Sequence, residues 1–436
     1  MLSAAPEAWA YAFGLKALQP DGCAAIKRGA DLVTAPLLLF YICAAILLQV
    51  AGGVGIAIWR WRRGVAGESG AIEADLLDAP GAWQGWREFR VVRREFEDSG
   101  QAQCSFYLEP VDGRPLLPFK AGQFLTFELP IADRKVIRCY SLSDRPDAKA
   151  FRVTIKRLGP PAGRPDLPTG IASTHFHDEV HEGGVLRVKA PSGAFFVDPD
   201  ARVPAVFIAG GIGITPMMSM VSWALAEQPR RILHLFYGVR DGGEHSFKRP
   251  FEDLARAHPN FHLHVIYSRP GAGDQLGCDF HHAGHVDVEL LRRCLPHGRH
   301  QFYVCGPAAM MASVVPALVE WGVLSQDIHY EAFGPASLRS GADTKPSTTL
   351  AAPIDVKFRR SGRTLAWDGR DASLLDFAER NGIAVESGCR SGSCGSCETK
   401  LIGGDVHYGA APDHAVKPGH CLLCISIPQS ELVLEA

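Results

Sequence analysis

Gly388-Cys389-Arg390-Ser391-Gly392-Ser393-Cys394-Gly395-Ser396-Cys397 sets three cysteines in the spacing C-x4-C-x2-C, and a fourth follows in Cys424-Ile425-Ser426-Ile427-Pro428. Four thiolates so spaced hold a [2Fe–2S] cluster, three from one tight loop and the last from a distant strand. Gly388, Gly392 and Gly395 let the loop wrap closely and turn its amides toward the sulfurs, which softens their negative charge. A zinc site would use paired C-x2-4-C knuckles, and only one tight pair is present. The expected ligands are Cys389, Cys394, Cys397 and Cys424. Cys421 is the alternative fourth ligand, but Cys424 lies closer to the strand-like Glu431–Ala436. The other cysteines, Cys23, Cys43, Cys104, Cys139, Cys278, Cys294 and Cys305 with Cys421, stand singly in apolar or strand-like runs. They read as reduced, buried thiols in a cytoplasmic body.

The cluster unit spans 353–436, and the small polar stretch 335–352 before it reads as a linker. Residues 204–334 alternate continuous apolar runs with helix-like segments, the pattern of an α/β doubly wound parallel sheet. The first run ends in Phe207-Ile208-Ala209-Gly210-Gly211-Ile212-Gly213-Ile214-Thr215-Pro216. Gly210, Gly211 and Gly213 allow the backbone close to a pyrophosphate at the start of the next helix. Thr215 offers a hydroxyl there, and Pro216 completes the run. Arg240 closes the second run and is expected to meet the nucleotide. Ser268-Arg269 closes the third, where a 2′-phosphate would need a cation. Cys305-Gly306-Pro307 ends the fourth, and Glu331-Ala332-Phe333 ends the region.

Residues 87–203 carry six short alternating runs separated by turn residues such as Asp112-Gly113 and Gly183-Gly184. This predicts an antiparallel β-barrel. One run ends in Arg138-Cys139-Tyr140-Ser141. A flavin nucleotide needs a guanidinium for its phosphate, an aromatic face for its ring and a hydroxyl near the ring edge. Arg138, Tyr140 and Ser141 supply them. Gly170-Ile171-Ala172-Ser173 opens a helix-like stretch whose first amides suit a phosphate.

In this order, these elements resemble the ferredoxin-NADP reductase superfamily across 87–334. The nearest resemblance is to the reductase module of flavohaemoglobins, carried by Phe106-Tyr107-Leu108, Pro118 to Gln123, Arg138 to Asp144 and Val153 to Arg157, together with the G-G-x-G-x-T-P, C-G-P and E-x-F segments. The resemblance implies FAD rather than FMN, and NADH with NADPH as the alternative. Lys156 and Phe333 join the expected cofactor contacts. Cys305 would face the nicotinamide, with Ser141 and Glu331 beside the path of hydride and electrons. Residues 354–436 resemble the plant-type ferredoxin domain, an α+β β-grasp fold. Phthalate dioxygenase reductase shares the domain order but uses FMN.

The N-terminal segment 1–63 differs. From Leu32 to Trp59 no residue is charged. That exceeds the roughly 20 residues needed to span a bilayer core. Arg60, Arg62 and Arg63 follow, denser than Lys27 and Arg28 on the other side, so a single-pass transmembrane helix at 32–59 would leave the catalytic body in the cytoplasm. Residues 64–86 read as a tether. The formal net charge of −2 and the scattered basic residues give no sign of nucleic-acid binding. Resemblance and domain order together imply a reductase passing electrons from NADH to FAD, to the cluster, and on to a one-electron acceptor such as an oxygenase, a desaturase or another membrane redox protein. Two alternatives stand: a nitric-oxide dioxygenase-like reductase working with a separate globin, and a cluster-based redox sensor.

Overall fold

β1 (Arg87–Phe96) alternates buried and exposed positions along its first half, whereas β7 (Ala205–Gly210) is buried throughout. The first pattern belongs to an antiparallel strand with one wet face, the second to a parallel strand covered on both faces. The computed structural model describes residues 85–132, 134–160, 169–198, 202–333, 353–409 and 414–436, with Trp83 and Pro412. The apolar run 32–59 lies outside these residues. Among the described residues, no helix is long and apolar enough to cross a membrane.

β1 joins β2 (Gln103–Pro110), β3 (Phe124–Ile131), β4 (Arg134–Ser141), β5 (Phe151–Lys156) and β6 (Val185–Ser192) in an antiparallel sheet of order β4-β3-β6-β1-β2-β5. An antiparallel bridge between Leu142 and Val153 joins the two ends and closes the barrel. Helix α1 (Ile171–Asp178) plugs it. Phe176 of α1 meets Phe106, Phe127 and Tyr140 edge-on, with ring centroids 5.2, 5.5 and 5.2 Å apart.

β7 leads a second sheet with β8 (Leu233–Val239), β9 (Phe261–Tyr267), β10 (His282–Ala283), β11 (Gln301–Gly306) and β12 (Ile328–Ala332). All pairs are parallel, in the order β10-β9-β8-β7-β11-β12. Helices α2 (Ile214–Glu227), α3 (Lys248–Ala257), α4 (Val288–Cys294) and α5 (Ala308–Glu320) connect these strands. Successive strands run outward from β7 in one direction to β10, then resume on its other side with β11. The crevice at the carboxyl ends of β7 and β11 is therefore the topological switch point, where doubly wound sheets bind ligands.

The C-terminal unit has β13 (Ile354–Phe358), β14 (Arg363–Trp367), β15 (Glu398–Gly403), β17 (His420–Leu422) and β19 (Leu432–Leu434) in the order β14-β13-β19-β15-β17. β16 (Val406–Tyr408) and β18 (Ser426–Pro428) form a separate pair. Helix α6 (Leu374–Arg380) packs Phe377 against Phe358 and Trp367. Ser373 caps it, its Oγ accepting from the Asp376 amide at 3.2 Å.

One buried cation ties the barrel's exit to the second sheet. Arg231, 1% exposed, donates to the carbonyls of Val203 at 2.7 Å and Asp198 at 2.8 Å, to Gln228 Oε1 at 2.9 Å, and to Gln301 Oε1. Gln301 on β11 returns a bond to Asp198 Oδ2 at 2.6 Å. Arg231→Ala leaves several buried acceptors unpaired, each worth about 1–3 kcal/mol. Urea unfolding of the FAD-loaded protein is expected to show a loss of about 3 kcal/mol. A loss below about 1 kcal/mol would mean that water replaces the guanidinium.

Candidate electron-transfer site

Ser141, at the end of β4, is buried and donates through Oγ to Glu331 Oε2 at 3.4 Å. Glu331 on β12 stands opposite Cys305 of β11 in the parallel register. The structure thus gathers Ser141, Glu331 and Cys305 from two domains around one point. Cys305 is 0% exposed, and burial, with Glu331 second, pushes its thiol well above the usual range. It is a neutral thiol at physiological pH. Tyr140, one position before Ser141, presents a half-buried ring set by Phe127 and Phe176, and burial keeps its phenol protonated. Arg138 is exposed on the same strand, with Nη1 on the Ile137 carbonyl at 2.7 Å. Phe333 packs on the nucleotide-domain core.

The glycines of the two turns are required by close approach. A Cβ at Gly213 would stand 2.1 Å from the Cys305 carbonyl oxygen, and one at Gly210 would stand 2.7 Å from Pro307 Cδ. At Gly306 it would meet Met310 Cε at 2.3 Å and the Gly210 amide nitrogen at 3.0 Å. Gly211 takes φ +51 with open space beyond it. The β7 and β11 turns therefore touch backbone to backbone and leave a crevice free of side chains at the switch point, as a dinucleotide requires. Pro307 precedes the first turn of α5 and Pro216 lies in the first turn of α2. Thr215 Oγ1 donates to the Ile212 carbonyl at 3.1 Å and so braces the turn itself.

Gly170 caps α1, and a Cβ there would lie 2.8 Å from Ser173 Oγ. Ser173 Oγ donates to the Gly170 carbonyl at 2.9 Å and accepts from the Leu158 amide at 3.1 Å, so its hydroxyl fixes the turn. The amides of Ile171 and Ala172 remain as first-turn donors without intrahelical acceptors. Lys156 and Arg240, both expected at a cofactor, meet on one carboxylate, each 3.0 Å from Glu244. Glu244 was not among the expected residues. Its place four positions after Arg240 was the available signal. Ser268 is half-buried, its amide donating to the Val239 carbonyl at 3.0 Å.

In the cluster loop, Arg390, Gly392 and Gly395 take φ of 59, 83 and 65. A Cβ at Gly392 would stand 2.7 Å from Ile425 Cδ1, and one at Gly395 would stand 2.5 Å from the His414 ring. Such a backbone points amides inward: those of Ser391, Ser393 and Cys394 lie 3.4, 3.3 and 3.3 Å from Cys389 Sγ, and that of Cys389 lies 3.2 Å from Cys394 Sγ. Cys389 contacts Cys394, and Cys397 contacts Cys424. Four thiols in two pairs, ringed by amides, fit a cluster of two irons with two cysteines each. Cys421 is fully buried in the domain core, and burial pushes its thiol up to about 12. Arg390 pairs with Glu379 and Asp376, which fastens the loop to α6.

The loop also meets the barrel. Cys394 lies beside Cys139, which sits between Arg138 and Tyr140 on β4 and whose Sγ pairs with Thr126 Oγ1 at 3.4 Å. Lys189 Nζ on β6 is 3.4 Å from the Cys394 carbonyl, and the Gly388 position faces Ile137. Cys139 read in sequence as an ordinary buried thiol. If the Cys139 thiol donates weakly to Cys394 once that is a cluster thiolate, Cys139→Ala is expected to lower the cluster's midpoint potential by about 20 mV, from about 0.5 kcal/mol at one electron. Redox titration followed by EPR checks this, and an unchanged potential would show that the contact carries no hydrogen bond to the cluster.

Comparison with known proteins agrees with this geometry. The family described as oxidoreductase FAD-binding domain matches residues 92–197, the oxidoreductase NAD-binding domain matches 207–315, and the 2Fe-2S iron-sulfur cluster binding domain matches 356–429. Among curated relatives, the flavohemoprotein of Halalkalibacterium halodurans is 37% identical over 264 residues, 60% of this chain and 63% of that protein. That of Chromobacterium violaceum is 35% identical over 296 residues, 66% of this chain and 72% of that protein. The chain spans just under two thirds of the first such relatives, 63% and 66%. Among solved structures, the flavohem-like FAD/NAD-binding domain of nitric oxide dioxygenase from Vibrio cholerae O1 biovar El Tor is 30% identical with a TM-score of 0.50, covering 59% of this chain and 100% of that one. An intact type IV self-sufficient cytochrome P450 monooxygenase shares the fold at 24% identity and a TM-score of 0.54, covering 84% of this chain and 44% of that one. The chain is an NAD(P)H oxidoreductase with FAD-, NAD- and [2Fe–2S]-binding domains, and it belongs to the family of flavohemoprotein-type FAD/NAD-binding reductases.

Proposed function

We propose that this chain takes a hydride from NADH and delivers single electrons, through FAD and a [2Fe–2S] cluster, to a separate acceptor protein. The observation that carries the reading is the seating of the cluster loop on β4, the strand that also presents Arg138, Tyr140 and Ser141. When bound, FAD accepts two electrons as a hydride and the cluster holds one, which turns a two-electron donor into a one-electron output. The chain's own residues bind and orient. Arg138 and the first amides of α1 suit the flavin phosphates, and the Tyr140 ring suits one face of the isoalloxazine. The glycine crevice suits the dinucleotide and points its nicotinamide end toward neutral Cys305. Glu331 orients the Ser141 hydroxyl by accepting its hydrogen bond. Cys389, Cys394, Cys397 and Cys424 would hold the cluster.

A preference for NADH is supported by Asp241 and Asp274, which crowd the loop after β8: Asp274 Oδ2 accepts from the Gly242 amide at 3.2 Å and from the Gly271 amide at 2.7 Å. Like charge there opposes a 2′-phosphate. The uncharged run from Leu32 to Trp59 and the arginines after it support a single-pass anchor with the catalytic body on the cytoplasmic side. An anchored reductase would meet a membrane-resident oxygenase, desaturase or other redox protein at raised local concentration. A second reading has this chain reducing a separate globin for nitric-oxide dioxygenation. It is favoured by the 30% identity to the FAD/NAD-binding domain of the Vibrio cholerae nitric oxide dioxygenase.

Cys397→Ser separates the two halves of the proposed chain. With FAD content unchanged, NADH-dependent ferricyanide reduction, which the flavin alone can support, is expected to stay within about twofold, while cytochrome c reduction falls at least tenfold, about 1.4 kcal/mol in barrier. Undiminished cytochrome c reduction would mean that electrons leave from the flavin and that the cluster is not the exit.

A further inference from the structure

A second group of ligand-type side chains lies on the nucleotide domain, toward the β10 edge of its sheet. His234 and His262 are the second residues of β8 and β9, His264 follows on β9, His282 opens β10 and Cys294 ends α4. The imidazoles stack in a row. His234 lies 4.7 Å from His262 and 5.9 Å from His264 by ring centroids, and His264 lies 5.9 Å from His282. A cavity of about 460 Å³ opens beside them, lined by His234, His262, His264, Cys294 and Leu295.

Buried histidines ordinarily spend both ring nitrogens on hydrogen bonds. These do not. His234 is 5% exposed, yet neither of its ring nitrogens has a partner among the described residues, and the same holds for His264 Nε2. Burial, then the neighbouring imidazoles, pushes His234 down to about 3 and His264 to about 4, and burial, then Arg293, lowers His282. All three are neutral at pH 7, the form that ligates metals. The ligand atoms of His264, His282 and Cys294 all lie within 4.8 Å of one another, and Cys294 Sγ is 3.9 Å from His282 Nε2. Tetrahedral zinc, with Zn–N about 2.0–2.1 Å and Zn–S about 2.3 Å, spaces such atoms about 3.3–3.6 Å apart. Closing that gap takes a small rotation of half-buried side chains.

We propose that His264, His282 and Cys294 form a zinc site, with two imidazole nitrogens and one thiolate as ligands and the fourth position left to water or to His234. Two nitrogens and one sulfur suit a borderline-soft divalent ion and not calcium or magnesium. Binding exchanges the Cys294 S–H proton for the Zn–S bond, so one proton leaves per zinc. Burial raises the Cys294 thiol and Arg293 beside it offsets part of that rise, so the proton leaves on metal binding. The ion would pin α4 to β9 and β10 at the sheet's outer edge and supply the partners that the imidazoles lack. It would play no part in the redox chain.

The test uses the full-length protein loaded with FAD and iron–sulfur cluster, treated with chelator and dialysed against zinc ions alone. Zinc K-edge absorption is blind to the iron and reads the ligands directly. We expect one zinc per chain with a shell of one sulfur and two or three nitrogen or oxygen donors. Cys294→Ala and His282→Ala should each weaken zinc binding at least tenfold in chelator competition, with FAD and iron contents unchanged. If His282→Ala does not fold, Cys294→Ala alone decides. Unaltered zinc affinity in the variants would overturn the assignment, and so would an all-sulfur shell marking zinc in the cluster cysteines.

Discussion

The cluster-binding loop has to lie against the flavin barrel, because electron transfer between two cofactors weakens steeply with the gap between them. Here that gap is set by side chains rather than by a linker. Cys394 lies beside Cys139, Lys189 reaches the Cys394 carbonyl, and Gly388 leaves room for Ile137. Arg390 holds the loop from behind through Glu379 and Asp376. The strand that receives the loop is the one whose last residue, Ser141, bonds Glu331 across the domain boundary. One short strand, β4, therefore borders all three cofactor regions.

The nucleotide crevice rests on a different constraint, the absence of side chains. Two turns that meet at 2.1 Å from a would-be Cβ cannot tolerate even alanine at Gly213 without moving the β11 carbonyl. Their rigidity comes from the sheet beneath and from Arg231, which fastens the segment leaving the barrel to β11. On the proposed reading a hydride donor bound there would be positioned by backbone, with Cys305 and Glu331 beside the place where it would meet the flavin.

What could be read from the chain before folding was whatever local chemistry dictates. The C-x4-C-x2-C loop and the glycine run after β7 announce themselves because each needs particular residues at fixed spacing. The change from alternating to continuous apolar runs separates the barrel from the doubly wound sheet for the same reason. What could not be read depends on register between distant segments. β10 is two residues long and β12 carries mixed polarity, so neither shows a strand period. Cys139 meets the cluster loop and Glu244 meets Lys156 only when domains come together, and the imidazole row exists only because β8, β9 and β10 lie side by side. Thr215 and Ser173 belong to the two stretches expected at the cofactor phosphates, and in the folded chain their hydroxyls brace the turns that present the amides.

The most direct test of the account is an anaerobic titration of the whole protein with NADH, with flavin absorbance and low-temperature EPR read on the same samples. A rhombic signal from the reduced cluster that grows in step with flavin bleaching is the result the account predicts. A flavin that bleaches fully while the cluster stays oxidised would contradict it, because the contact between Cys394 and β4 would then join two centres that do not exchange electrons.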